Sequence, residues 1–460
     1  MTMSARVVVI GGGFAGVAAA ASLASRGADV VLLDDRRTLG GRARSDELEG
    51  MTIDTGAQLV STMYTRTLAL LDADAPARAA VDAMAGAMAD AAQRAPALHR
   101  VAGRDAYVRD GTRHPIQFGS IRSLLAFRGL GTWEKLGLAR HLMPMLAAHR
   151  AALDAAAARI PPALDAQRAR AYVSAHVSER AADVLVEPPL NGFYAMRGDE
   201  ASLAFFLMLG RYGSEGDVLA PVGGWSRALA RALRGARHEP AVTVRALARD
   251  GAALVVHADD RTWRADAVVV ATGPRTAGAL LAPLVPEHAA LLRWLGEVPM
   301  RATWTLALAL DTTPPRDAFG VFHDGRDARV VSACAVAGAN MTAPPADRDV
   351  VLAWPTPDAA QVLAGASAER IASAMLPDVE SLVPEVRGHV VRARVYRFAE
   401  GTPLAHPDFA ADRERARALV DALPPELALA GDYLAAPLIE GAVASGWRAA
   451  DRIAAAPSSR

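Results

Sequence analysis

The chain has 460 residues, 52% of them hydrophobic and 22% charged, with a formal net charge of +0. That length exceeds one ordinary core and predicts two domains, while 50 basic against 50 acidic residues point away from nucleic acid or a strongly charged partner. One cysteine, Cys334, excludes an internal disulfide and a multi-cysteine metal or iron–sulfur site, and no metal ligand set is expected. The N-terminus runs almost directly into a strand and no stretch approaches the roughly 20 apolar residues of a spanning helix. A cytoplasmic protein is therefore expected.

The first element is Val7-Val8-Val9-Ile10, a β-branched run that reads as a buried strand. Gly11-Gly12-Gly13-Phe14-Ala15-Gly16 follows and opens an alanine-rich helix, Ala15 to Ser25. Gly11 permits a tight turn, Gly13 lets the backbone approach a pyrophosphate, and Gly16 allows close helix–strand packing. The helix's free N–H groups and positive dipole end can then hold phosphates. A second strand, Asp29 to Leu33, ends in Asp34, whose carboxylate can accept both ribose hydroxyls of an adenosine. A glycine turn alone is weak evidence. Strand, turn, helix, strand and acid in order read as a dinucleotide site.

Arg36-Arg37-Thr38-Leu39-Gly40-Gly41-Arg42-Ala43-Arg44 continues directly, and Asp54-Thr55-Gly56-Ala57-Gln58 follows. Two glycines and an arginine suit a second contact with a long, doubly charged cofactor, whereas Arg37 and Arg44 also fit a solvated surface run. This stretch resembles the N-terminal signature of the flavin amine oxidase superfamily. That superfamily includes monoamine and polyamine oxidases, protoporphyrinogen oxidases, phytoene desaturases, hydroxysqualene dehydroxylases and renalases. The resemblance implies bound FAD, held at this end by Gly11, Gly13, Phe14, Ala15, Gly16, Asp34, Arg36, Arg42 and Gly56.

Further along, Tyr64 to Leu71 reads as a short helix, and alanine-rich Ala75 to Ala97 as the exit into a second domain. Tyr107 to Ile116 reads as two strands turning at Asp110-Gly111. Ile121 to Ala158 is helical in pattern, either a layer on the core or an apolar face for peripheral membrane or lipid contact. Helices continue over Ala171 to Val186, and Glu187-Pro188-Pro189 is expected to break them, leaving Glu187 to Tyr194 outside. Pro221-Val222-Gly223-Gly224-Trp225, with a helix from Ser226 to Arg234, resembles the superfamily's Pro-x-Gly-Gly segment. Three strands are predicted next, Val242 to Ala248, Ala252 to His257 and Arg264 to Ala271; the resemblance assigns Val244 a backbone contact to adenine. Beyond them, Arg301 to Leu310, Asp349 to Trp354 and Val390 to Phe398 read as strands, and Ala368 to Leu376 and Asp378 to Leu382 as helices.

The second strong signal is C-terminal. Leu427 to Ala430 reads as a strand ending in Gly431-Asp432, and Ile439-Glu440-Gly441-Ala442-Val443 opens a helix through Ala454. This resembles the superfamily's C-terminal flavin motif. It implies that Gly431 and Asp432 sit at the ribityl and phosphate end. Backbone N–H groups of Ile439, Glu440 and Ala442 would face the flavin's pyrimidine ring. The implied fold class is α/β: a Rossmann-type, glutathione-reductase-like FAD-binding domain interleaved with an α+β substrate domain. FAD-binding segments are expected at 1–75, 217–275 and 426–460, and substrate-domain segments at 76–216 and 276–425.

Two positions depart from the amine-oxidase pattern. The lysine usual beside flavin N5 aligns with Thr305, and Leu438 replaces an aromatic wall of the amine cage, a loss that favours an apolar substrate. The leading expectation is hydride removal from a terpenoid- or tetrapyrrole-like molecule, with the electron acceptor unspecified. An amine oxidase with a degenerate pocket, and a non-catalytic binder of prenylated partners like Rab escort proteins, are the alternatives. Tyr194, His323 and Tyr433 are the residues weighed as acid or base, each more readily structural.

Overall fold

The computed structural model describes residues 5–72, 97–101, 104–109, 112–117, 120–156, 160–323 and 329–456. Nearly all of the alanine-rich Ala75 to Ala97 stretch, and the Asp110-Gly111 turn, lie outside the described residues.

A five-stranded parallel sheet forms one layer. Its strands stand in the order Arg237–Glu239, Asp29–Leu33, Arg6–Ile10, Ala267–Val270, Leu427–Leu429. Every residue from Val7 to Ile10 is buried, as continuous β-branched runs require when helices cover both sheet faces. Three distant stretches of chain therefore build one sheet. The helices Phe14–Ser25 and Ile439–Ala455 pack against each other on it. Their approach is set by Gly446, where a Cβ would stand 2.2 Å from the Ala15 carbonyl oxygen.

The second layer is a seven-stranded sheet ordered Val390–Pro403, Met300–Leu310, Asp349–Pro355, Val331–Val336, Ala318–His323, Arg104–Arg109, Thr112–Ile116. Side chains alternate across it with period two. Trp304, Leu306, Leu308 and Val351 join a core with Ile371, Met375 and Val379 of the Ala368–Leu382 helix. Thr303, Thr305 and Trp354 face the other way, into a large cavity. Helices Ile121–Ala126, Thr132–His141 and Met143–Ala148 form the anticipated layer and leave Leu125, Trp133 and Leu136 exposed. Among the described residues no helix is long and apolar enough to cross a membrane.

Three expectations are corrected. Glu187-Pro188-Pro189 does not break the helices: a π-helical turn over Ala182–Val186 passes directly into a helix, Glu187–Tyr194. Both prolines fall in its first turn, where a missing N–H costs the hydrogen-bond ladder little. The helix closes at Ala195 in a left-handed conformation, φ 51°. Arg264 to Ala271 is not one strand. Thr262–Ala265 pairs antiparallel with Ala253–Ala258, and the chain changes sheets at Asp266 before Ala267–Val270 joins the parallel sheet. Finally, Ala368 to Leu382 is a single helix through Pro377, held by buried Met375, Val379 and Leu382.

Candidate functional site

The strand Arg6–Ile10 delivers the glycine turn to the edge of the cavity, which is about 910 Å3. Gly11 has φ 106°, and a Cβ there would stand 2.6 Å from the Ala271 oxygen, so only glycine passes. At Gly13 a Cβ would meet nothing within 4 Å, which leaves open groove at the helix start. Gly13 is also the N-cap of the Phe14–Ser25 helix and offers no side-chain cap; the first turn contains no acid. The Ile439–Ala455 helix likewise starts at Leu438 without a side-chain cap, and Leu438, Ile439 and Ala442 line the same cavity. Two helix starts with unsatisfied N–H groups thus face one space, an arrangement suited to an elongated anion.

Asp34 stands at one end, 7% exposed. It accepts the Gly12 N–H at 2.5 Å and the Arg36 N–H at 2.8 Å. Burial raises its pKa, partly offset by these two bonds. Gly40 (φ 121°) and Gly41 (φ 56°) turn the chain so that Arg42 reaches inward. Arg42 Nη2 donates to Asp432 Oδ1 at 2.7 Å and Nη1 to the Gly401 carbonyl at 3.1 Å. Burial works against the Arg42 charge, but the Asp432 carboxylate outweighs it and the guanidinium pKa is raised. The two terminal motifs therefore meet through one ion pair spanning 390 positions. Gly56 lies against the Arg42 carbonyl, which a Cβ would approach to 1.9 Å. Gly431 donates its N–H to Ser445 Oγ at 2.9 Å, tying the strand end to the C-terminal helix.

Other predicted residues are placed differently. Gly16 packs on the Gly11 carbonyl and does not line the cavity. Val244 opens its strand without lining the cavity either. The Glu440 side chain, 1% exposed, turns away and accepts the N–H groups of Arg66 and Thr67, both at 2.9 Å, and the Thr67 hydroxyl at 2.8 Å. It caps the Thr65–Leu71 helix, and Glu440 does not line the cavity. Arg44 is not a surface residue: it lines the cavity with its guanidinium 5.2 Å from the Phe398 ring. Of the three acid/base candidates only Tyr194 lines the cavity, and burial raises its pKa. Tyr433 is core, packed near Trp294, and His323 is buried elsewhere. Thr305 is 1% exposed, lines the cavity, and its hydroxyl has no hydrogen-bond partner. Sequence reasoning missed Asp105 and Asn191, both on this cavity's wall, because neither sits in a recognisable motif.

Comparison with known proteins gives the family. Residues 14–454 match the family described as flavin containing amine oxidoreductase. The chain belongs to that family, a class of FAD-dependent oxidoreductases, and its cofactor is FAD. Close sequence identity is confined to short stretches. Putrescine oxidase of Kocuria rosea is 41% identical over 66 residues, 14% of each chain. The carotenoid 3,4-desaturase of Haloarcula japonica is 50% identical over 50 residues, 11% of this chain and 10% of that one. In structure, a putative protoporphyrinogen oxidase from Exiguobacterium matches with TM-score 0.69 at 20% identity, over 98% of this chain and 99% of that one. Putrescine oxidase bound to putrescine matches with TM-score 0.68 at 17% identity, over 99% and 100%. These likenesses share the fold and disagree in substrate.

Proposed function

We propose that this protein removes hydride from a neutral, largely hydrocarbon substrate and passes it to FAD. The observation that carries the reading is Thr305: a buried, unpartnered hydroxyl lines the cavity on the strand where an amine oxidase would place lysine. The chain's one lysine, Lys135, instead donates to the Leu125 carbonyl on the helical layer. Leu438 supplies an apolar wall in place of an aromatic. Tyr396 is bonded to Asp46 at 2.8 Å, and Phe398 on the cavity wall carries the Arg44 guanidinium over its ring. A cationic amine would meet the Arg44 guanidinium at the Phe398 face.

When bound, FAD supplies the two-electron chemistry. Around it, Gly13, Phe14 and Ala15 present the helix N–H groups to the pyrophosphate, and Asp34 takes the ribose hydroxyls. Arg42 and Asp432 hold the ribityl and phosphate end together. The uncapped start of the Ile439–Ala455 helix opposes negative charge gathering at the pyrimidine ring. Buried walls exclude water from the reacting carbon. The same reading assigns 1–75, 217–275 and 426–460 to cofactor binding and the rest to the substrate side, supported by the three-segment origin of the parallel sheet. Anaerobic stopped-flow mixing tests the substrate class. Rapid flavin bleaching by a terpenoid or porphyrinogen, with slow bleaching by benzylamine and spermidine, is expected. Fast, saturable bleaching by either amine refutes the reading.

A further inference from the structure

Asp105 lies on the Arg104–Arg109 strand of the seven-stranded sheet. Its neighbours Ala106 and Val108 join the core beneath the Ala368–Leu382 helix, so alternation turns Asp105 to the opposite, cavity face. It is 4% exposed, lines the cavity, and its Oδ1 has no hydrogen-bond partner among the described residues. The strand belongs to neither terminal motif, so the arrangement that holds FAD leaves this carboxyl unused. Asn191 repeats the pattern on the same wall. Its amide nitrogen donates to Glu187 at 3.1 Å, while its Oδ1 is buried without a partner. One ring ties the two together. A Cβ at Gly320 would stand 2.7 Å from Asp105 Oδ1 and 2.9 Å from Phe322. A Cβ at Gly192 would stand 2.6 Å from that ring's other edge. The Asp105 carboxyl and the Asn191–Gly192 stretch of the Glu187–Tyr194 helix therefore lie toward opposite edges of the Phe322 ring.

We propose that Asp105 selects a substrate that carries a hydroxyl group on its hydrocarbon skeleton. The proposal rests on the neutral-substrate reading above and names the polar handle within it. A buried acceptor without a donor is costly, and a ligand O–H arriving at Asp105 recovers that cost. Burial holds the Asp105 pKa well above the ordinary carboxylate range. A neutral carboxyl both donates and accepts, which matches a hydroxyl. An ammonium would need the carboxyl ionised against the same burial. Phe193, its ring centroid 5.1 Å from that of Phe322, adds an apolar wall.

The test uses the FAD-loaded enzyme and three probes of one skeleton: farnesol, farnesene and farnesylamine. Binding is read from perturbation of the flavin absorbance. Farnesol is expected to bind about tenfold tighter than farnesene, the worth of one satisfied hydrogen bond. Asp105→Leu should bring that ratio to about one with flavin content and farnesene affinity unchanged, and Asp105→Asn should keep part of the preference. If Asp105→Leu does not fold, the wild-type ratio and Asp105→Asn decide. Farnesol binding no tighter than farnesene, or no binding by either, overturns the role of Asp105. So does a preference that survives Asp105→Leu. Tightest binding and flavin reduction by farnesylamine overturns the neutral-substrate reading itself.

Discussion

Each carboxylate oxygen of Asp34 already accepts a backbone N–H, from Gly12 and from Arg36, before any ribose arrives. The residue therefore shapes the glycine turn as well as offering itself to a ligand. Asp34→Ala should weaken FAD binding by at least about 1.5–3 kcal/mol, the worth of one hydrogen bond to a charged acceptor. The flavin-to-protein ratio after dialysis checks it, and full occupancy would sink the assignment. Asp54 carries a different prediction. It accepts Ser45 Oγ at 2.7 Å and the Trp225 N–H at 2.9 Å, yet burial lifts its pKa to about 7. The folded state thus keeps a proton that the unfolded chain releases near 3.8. Its stabilisation is complete below that value and fades as pH climbs toward 7, by at most about 1.4 kcal/mol per pH unit. Urea midpoints measured from pH 4 to 7.5 should show this slope in the wild type and a shallower one in Asp54→Asn. Parallel slopes would place the proton elsewhere.

Helix pairing decides whether the two terminal motifs share a site. At Gly446 a side chain would strike the Ala15 oxygen and the Ala18 methyl, 2.2 and 2.9 Å away. Gly446→Val should separate the Phe14–Ser25 and Ile439–Ala455 helices, costing about 1–3 kcal/mol by overpacking. Denaturant unfolding measures the loss, and unchanged stability would show that the crossing can relax. The close approach of Gly446 to Ala15 was not legible, since sequence carries no crossing angle. The same limit explains Glu187–Tyr194. Two prolines argue locally for a break, and only the preceding π-helical turn places them where a missing N–H is tolerated. Glu440 was readable as a motif residue, whereas its clamp on the Thr65–Leu71 helix needed the packed structure.

For the molecule as a whole, the parallel sheet takes an edge strand, Leu427–Leu429, from nearly the end of the chain. A chain ending at Pro424 would lose that strand, the Arg42–Asp432 pair and the second helix start together. It should purify without flavin although the glycine turn is intact. Asp432→Ala in the full chain separates loss of the site from loss of the fold: flavin should fall while the circular dichroism spectrum holds. Stoichiometric flavin in the shortened chain would show that the C-terminal segment is dispensable to the site.

The sequence by itself marked the two ends of the candidate cofactor site, because glycine turns and β-branched runs act locally and leave local signatures. It also indicated the apolar bias at Thr305 and Leu438. What only the tertiary structure decided is which side chains meet. Asp105 looks like any strand acid until the sheet's alternation turns it inward and Gly320 and Phe322 close around it. Val244 and Glu440 carry motif positions, yet one lies off the cavity and the other faces a helix. Burial and contact are long-range quantities, set by strands more than 200 residues apart, and no local pattern encodes them.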